Sequence, residues 1–167
     1  MTGPTPEDHF RAAFLETDYG TPGERFQLTP AREGPAPLFM PAGRWAVLTA
    51  HNPGGEQQAQ PVNEEAQHAL ERQLSGFPCL RGLNGGGKWA EASVIVSGLP
   101  LRTALRLGRE FAQVAVLYGS GRRAALVWCA SGRVERFWVS ARGSGAERGG
   151  AAGIEDREGR EGRLRKV

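Results

Sequence analysis

The chain has 167 residues, 40% of them hydrophobic, with a formal net charge of +3. That length suits one domain with a real core, and no apolar run nears the roughly 20 residues that span a bilayer. Residues 140–167 hold seven basic side chains against five acids, so the body is close to neutral and argues only weakly for a nucleic-acid partner.

The N-terminus, Met1-Thr-Gly-Pro-Thr-Pro-Glu-Asp8, has neither the basic nor the apolar stretch of a secretory signal. A cytoplasmic location without membrane attachment is therefore expected. Thr5-Pro6-Glu7-Asp8 reads as a helix start, with Thr5 as cap, Pro6 in the first turn and Asp8 completing a box. Phe10, Ala13, Phe14 and Thr17 follow at helical spacing, and residues 20–23 stop that helix. Residues 25–29 form a short strand. Residues 30–43 carry four prolines and read as a connector.

The core begins at Trp45. Strands are expected over 45–51, 77–81, 92–97 and 113–118. One helix is capped by Asn63 and carries Ala66, Ala69, Leu70 and Leu74, and a second opens at Pro100. Two further strands, 124–129 and 134–139, make a hairpin. Three units result: an N-terminal helical part over 1–24, an α/β core over 25–139, and a Gly/Arg/Glu-rich tail over 140–167. The tail is too polar to offset the entropy of ordering and is expected to be disordered. The order β-α-β-β-α-β is that of a ferredoxin-like split β-α-β sheet, with both helices on one face and the hairpin extending it.

Strand parity then sorts the faces. Ala46, Leu48, Ala50, Val94, Val96, Val114 and Val116 suit packing beneath the helices. The opposite face carries Trp45, Val47, Thr49, His51, Ser93, Ile95, Ser97 and Gln113, a mixed and polar set on central strands. It is either an open ligand surface or ground covered by the N-terminal helix and connector.

The stretches Phe14-x-x-Thr17-x-Tyr19, Trp45-Ala-Val-Leu-Thr49-Ala50-His51-Asn52-Pro53, Trp89-Ala-Glu91-Ala-Ser93 and Phe111-Ala-Gln113-Val-Ala115-Val116 carry a resemblance. From about Ala13 to Val127 the chain resembles a bacterial family known as domain of unknown function 3293. Two positions depart from its pattern: His51 stands where an aromatic residue usually precedes Asn-Pro, and Ala92 interrupts a Glu-Pro-Ser triplet. The resemblance implies a boundary and a motif set, without a chemistry.

Thr49, His51, Asn52, Trp89, Glu91, Ser93 and Gln113 are the candidate binding residues. Asn52, Trp89, Glu91 and Gln113 would line one end of the sheet beneath the loop 54–61. An uncharacterised small-molecule or protein binding domain is the first reading. A hydrolase centred on His51, Asn52 and Glu91, with Ser93 as a nucleophile lacking the usual elbow, is the second. Nucleic-acid binding through the tail, with its single Arg148-Gly-Gly element, and through Arg102, Arg106 and Arg109 is the third. Gly82-Leu-Asn-Gly-Gly-Gly87-Lys88 fits a phosphate-loop spacing, but Trp89 stands where Ser or Thr is needed and a strand follows, so it reads as a turn. No His, Cys or acid set has metal-ligand spacing, and no cofactor is implied. Cys79 and Cys129 are expected as buried, reduced thiols.

Overall fold

The structure is a computed structural model that describes residues 3–143. Helix α1 (Pro6–Glu16) starts as its sequence dictates. The Thr5 hydroxyl accepts from Asp8 N–H at 3.3 Å, and the Asp8 carboxylate accepts from Thr5 N–H at 2.9 Å. Two otherwise orphaned amides of the first turn are thereby satisfied. Then follow β1 (Tyr19–Gly20), β2 (Arg25–Thr29), β3 (Arg44–Leu48), α2 (Gln60–Gln73), β4 (Cys79–Asn84) and β5 (Glu91–Ser97). The chain continues through α3 (Leu101–Glu110), β6 (Ala115–Ser120), β7 (Arg123–Trp128) and β8 (Val134–Ala141).

The protein is a mixed α/β fold with one antiparallel sheet of eight strands, in the order β1-β2-β8-β7-β6-β3-β5-β4. Its last four positions are the strands of the β-α-β-β-α-β stretch. The expectation of four core strands plus a hairpin is too small. Strand β2 pairs with β8, and Tyr19–Gly20, of which the sequence reads only Gly20, as the start of a helix stop, pairs with β2. The ends of the sheet then approach each other. Gly85 N–H donates to the Asp18 carbonyl at 2.8 Å. The Arg25 guanidinium donates to the carbonyls of Leu83, Gly85 and Asp18 at 2.6, 2.7 and 2.8 Å. The sheet is nearly a barrel, which accords with the right-handed twist that accumulates across many strands.

Two cores result. Outside the sheet, Ala46, Leu48, Val94, Val96 and Val116 pack beneath Leu70 of α2, Leu74 just past its end, and Ala104 and Leu107 of α3. Inside, Trp45, Val47, Ile95 and Leu117 meet Tyr19, Phe26 and Trp128. Phe10 and Phe14 of α1, with Phe39 and Met40 of the connector, pack against this inner cluster. The parity argument separated the two faces correctly for these residues. The face that looked polar is largely the barrel's apolar interior, because aromatic residues distant in sequence supply what the central strands lack. Each large side chain so buried contributes about 1.5–3 kcal/mol.

Local differences have physical causes. α2 begins at Gln60 rather than at Asn63, since Pro61 fits its first turn and Ala59 is the cap position. Cys79 is exposed, against expectation, because it opens the end strand β4, while Cys129 is buried. Burial pushes the Cys129 thiol up to about 11. The tail lies outside the described residues from 144 onward, and β8 reaches Ala141. No helix among the described residues is long and apolar enough to cross a membrane.

At Gly119 of β6, an added Cβ would collide with the Arg123 carbonyl and the Trp45 ring. Gly119→Ala is therefore expected to destabilise the fold by about 1–3 kcal/mol. A urea unfolding midpoint unchanged from wild type would contradict this packing.

Candidate functional site

The site is organised by Asn52, just past the end of β3. Its backbone is left-handed, at φ 49° and ψ 61°, a conformation that Asn tolerates better than most residues. The side chain then serves three partners. Nδ2 donates to Glu91 Oε1 at 2.8 Å, while Oδ1 accepts from Gln58 N–H and Asn63 Nδ2, each at 2.9 Å. Asn63 Oδ1 accepts from Asn52 N–H at 2.9 Å, closing a reciprocal pair. Pro53–Gly55 forms one 3-10 turn, held by Gly54 N–H donating to the Ala112 carbonyl at 2.7 Å. The loop between strand and helix is thus shorter and more tethered than a free lid over 54–61 would be.

Around this hub lies a cavity of about 120 Å³ at the barrel mouth. Thr49, His51, Asn52, Glu91 and Gln113 line it, and Phe10 and Phe14 of α1 contribute apolar wall. Thr17, Asn84 and Glu91 also line an outer hollow of about 630 Å³, with Trp89 on its wall. Trp89 is 61% exposed, and the Lys88 ammonium sits 5.5 Å from its ring centroid.

Glu91 stands between the two spaces. Burial raises its carboxyl above the ordinary range, and the Asn52 amide opposes that shift. It takes part in none of the ion pairs among the described residues. The neighbouring Asn84 Oδ1 is buried and has no hydrogen-bond partner. Thr49 bridges strands: its hydroxyl donates to the Ala92 carbonyl at 2.8 Å and accepts from His51 N–H at 3.1 Å. Gln113 Nε2 donates to the His51 carbonyl at 3.0 Å. His51 itself is 4% exposed, and its Nε2 has no partner. Burial pushes its imidazole down, towards the neutral form, against a smaller opposite pull from Glu64.

The structure therefore gathers Thr49, His51, Asn52, Glu91 and Gln113 at one cavity, with Trp89 at the adjoining hollow. Ser93 is not among the cavity's lining residues. It is buried against Gly82 of β4, its hydroxyl unpartnered. Sequence reasoning missed Gln67 and Asn84, and took Asn63 for a helix cap rather than a member of the hub. Asn63 and Gln67 are four apart and so share a helix face. Both are buried, but only the fold reveals polar residues on a buried stripe. Gly82–Asn84 belongs to β4 and Gly87–Trp89 is a 3-10 turn leading into β5, so no helix N-terminus faces the glycine-rich run. Of the arginine stripe, Arg109 Nε donates to the Cys129 carbonyl at 2.6 Å and Arg106 pairs with Glu110 at 3.0 Å. Among the described residues, no group of three or more His, Cys, Asp or Glu side chains is arranged to hold a metal ion.

Residues 48–116 match the model of a family described as protein of unknown function (DUF3293). The resemblance carried by the motifs is shown over that segment. The matched segment contains every polar member of the hub, from Thr49 through Asn52, Asn63 and Glu91 to Gln113. The aromatic wall from α1 lies outside it. No match is found among curated proteins or among solved structures.

Two expectations follow. Asn52→Ala removes the acceptor for Gln58 and Asn63 and the donor to Glu91 while forcing Ala into a left-handed backbone. It should cost about 2–4 kcal/mol in chemical denaturation; a loss within experimental error would mean the hub is dispensable. The two titrating groups also oppose each other with pH. The folded Glu91 carboxyl titrates above its ordinary 4.5, so the native state holds a proton the unfolded chain releases, and stability falls as pH rises through that window. Folded His51 titrates below its ordinary 6.5, so the unfolded chain takes up the proton first, and stability falls as pH drops below 6.5. Glu91→Gln should therefore gain stability relative to wild type as pH rises past 4.5, and His51→Gln as pH falls below 6.5. Melting curves across that range that run parallel for wild type and both variants would refute the assignment.

Proposed function

We propose that this protein is a small-ligand binding domain whose ligand enters at the barrel mouth, with its polar head at Glu91 and its apolar part against the inner cluster. The observation that carries this reading is the Glu91 carboxyl. It is half-buried, held on one oxygen by Asn52, outside every ion pair among the described residues, and adjacent to the orphaned Asn84 oxygen at the throat between cavity and hollow. The buried Asn84 oxygen is a costly acceptor left without a donor, and a ligand offering N–H donors to it and to the half-buried Glu91 carboxylate would relieve that cost. A small amine or amidine with a compact apolar body fits best, its N–H donors meeting the Glu91 carboxylate and the Asn84 oxygen. We also infer that the core is ferredoxin-like, a reading supported by the antiparallel order β6-β3-β5-β4 with α2 and α3 against one face.

The hydrolase reading has less support, because Glu91 is held by Asn52 and the His51 Nε2 atom bonds to neither. A binding domain needs no such pair.

A thermal-shift and calorimetric screen of small amines, amidines, neutral amides and carboxylates checks the proposal. Amines or amidines should raise the melting temperature. Glu91→Gln should weaken their binding roughly tenfold or more, the scale of one lost charge-assisted hydrogen bond. Binding that is indifferent to Glu91→Gln, or confined to carboxylates, would sink it.

A further inference from the structure

A second space lies on the opposite face of the sheet, between α2 and the strands β4 and β5. It is an open groove of about 740 Å³, within the size range of small-molecule sites. It exists because α2 does not cover the end strand: Cys79, Leu80 and Arg81 of β4 are all exposed. Leu74, Phe77 and Val94 give the groove apolar wall, and Glu64, Glu71 and Arg81 supply its charged lining.

Its inner end is polar and unsatisfied. Gln67 is 3% exposed, and its Oε1 accepts from Ala50 N–H at 2.9 Å. That bond fixes the amide's orientation and leaves Nε2 as a pure donor, which has no partner. His51 also lines this groove, and its Nε2 is likewise buried without a partner. Ser93, 1% exposed, lines the groove as well, and its Oγ is a third such atom; three of them in one groove are unusual for a native fold.

We propose that this groove is a second binding site, for a small neutral molecule presenting a carboxamide, lactam or ureido edge. Gln67 Nε2 donates to the ligand carbonyl, and His51 Nε2 accepts from the adjacent N–H. The apolar wall takes the remainder of the molecule. The charge balance selects against the alternatives. An anion would be buried with no cation on the floor and with Glu64 and Glu71 on the lining, at a large desolvation cost. A cation would meet the Gln67 donor head-on. A neutral edge with one acceptor and one donor satisfies the Gln67 and His51 atoms and buries no charge, and the Ser93 hydroxyl can either donate or accept beside it.

The test uses three isosteric probes, benzamide, benzoate and benzamidinium, titrated into the full chain with residue-resolved NMR. Benzamide is expected to shift the Gln67 side-chain amide and the His51 ring resonances, at lower concentration than either charged probe does. Gln67→Glu keeps the acceptor for Ala50 N–H but replaces the donor by an oxygen. It should weaken benzamide in the groove roughly tenfold or more, the size of one lost hydrogen bond with an unmatched acceptor left behind. Should that variant fail to fold, the wild-type ranking of the probes at Gln67 decides. The proposal is overturned if benzoate or benzamidinium is the strongest groove binder, if Gln67→Glu leaves benzamide unaffected, or if no probe shifts Gln67. Benzamidinium shifts confined to Glu91 and Asn84 report on the barrel mouth alone, so the two sites stand or fall separately.

Discussion

An antiparallel sheet of this width would leave an apolar inner face in water unless its ends came together. Arg25 is the clasp. It sits on β2 beside one end of the sheet, and its guanidinium ties carbonyls of Leu83 and Gly85 at the β4 end to that of Asp18 beside β1. These are charge-assisted bonds from a rigid planar donor, stronger than neutral ones. The meeting of the ends turns the inner face into a barrel lumen. It lets Tyr19, Phe26, Trp45 and Trp128 share one cluster, although they come from four different strands. The mouth of that lumen exists only because the sheet curls.

The same curl explains why the polar residues collect where they do. β3 ends at Leu48, and the chain must turn sharply to reach α2. Asn52 takes the left-handed conformation that the turn needs, and its amide satisfies the neighbouring backbone and the first turn of α2 at once. The short segment from Thr49 to Asn52 then passes between the two faces of the sheet. Thr49, His51 and Asn52 line the lumen cavity with Glu91 and Gln113, and His51 also lines the groove on the other face with Gln67 of α2. Two candidate sites thus share a single bracing element. This accounts for the buried polar inventory in one place: where the backbone switches layers, side chains must replace the ladder bonds that the strands no longer make.

Much of this was legible beforehand where the signal is local. The Thr5-Pro6-x-Asp8 box, the two core helices and the alternation that sorts Ala46 and Leu48 from Trp45 and Val47 all follow from short-range rules. The candidate residues Thr49, His51, Asn52, Glu91 and Gln113 were also recognisable, as polar groups at strand ends. What was not legible depends on distant partners. Tyr19–Gly20 is a strand only because β2 lies alongside it. Cys79 is exposed only because β4 is an end strand. Asn63 reads as a helix cap and Gln67 as an ordinary surface position until α2 is seated on the sheet, when they become buried hydrogen-bond partners of Asn52 and Ala50.

By itself, then, the sequence determined the helices, most of the strands, the faces of the central strands apart from Val114, which packs against the inner cluster, and the family resemblance, because propensity, capping and periodicity act within a few residues. Only the tertiary structure decided that the sheet has eight strands and bends until its ends meet, that the apparently polar face is an aromatic lumen, and that unpartnered donors and acceptors remain at two places. The physical reason is one of range. Closure and burial are set by pairings between segments tens of residues apart, and no local pattern states which pairing wins.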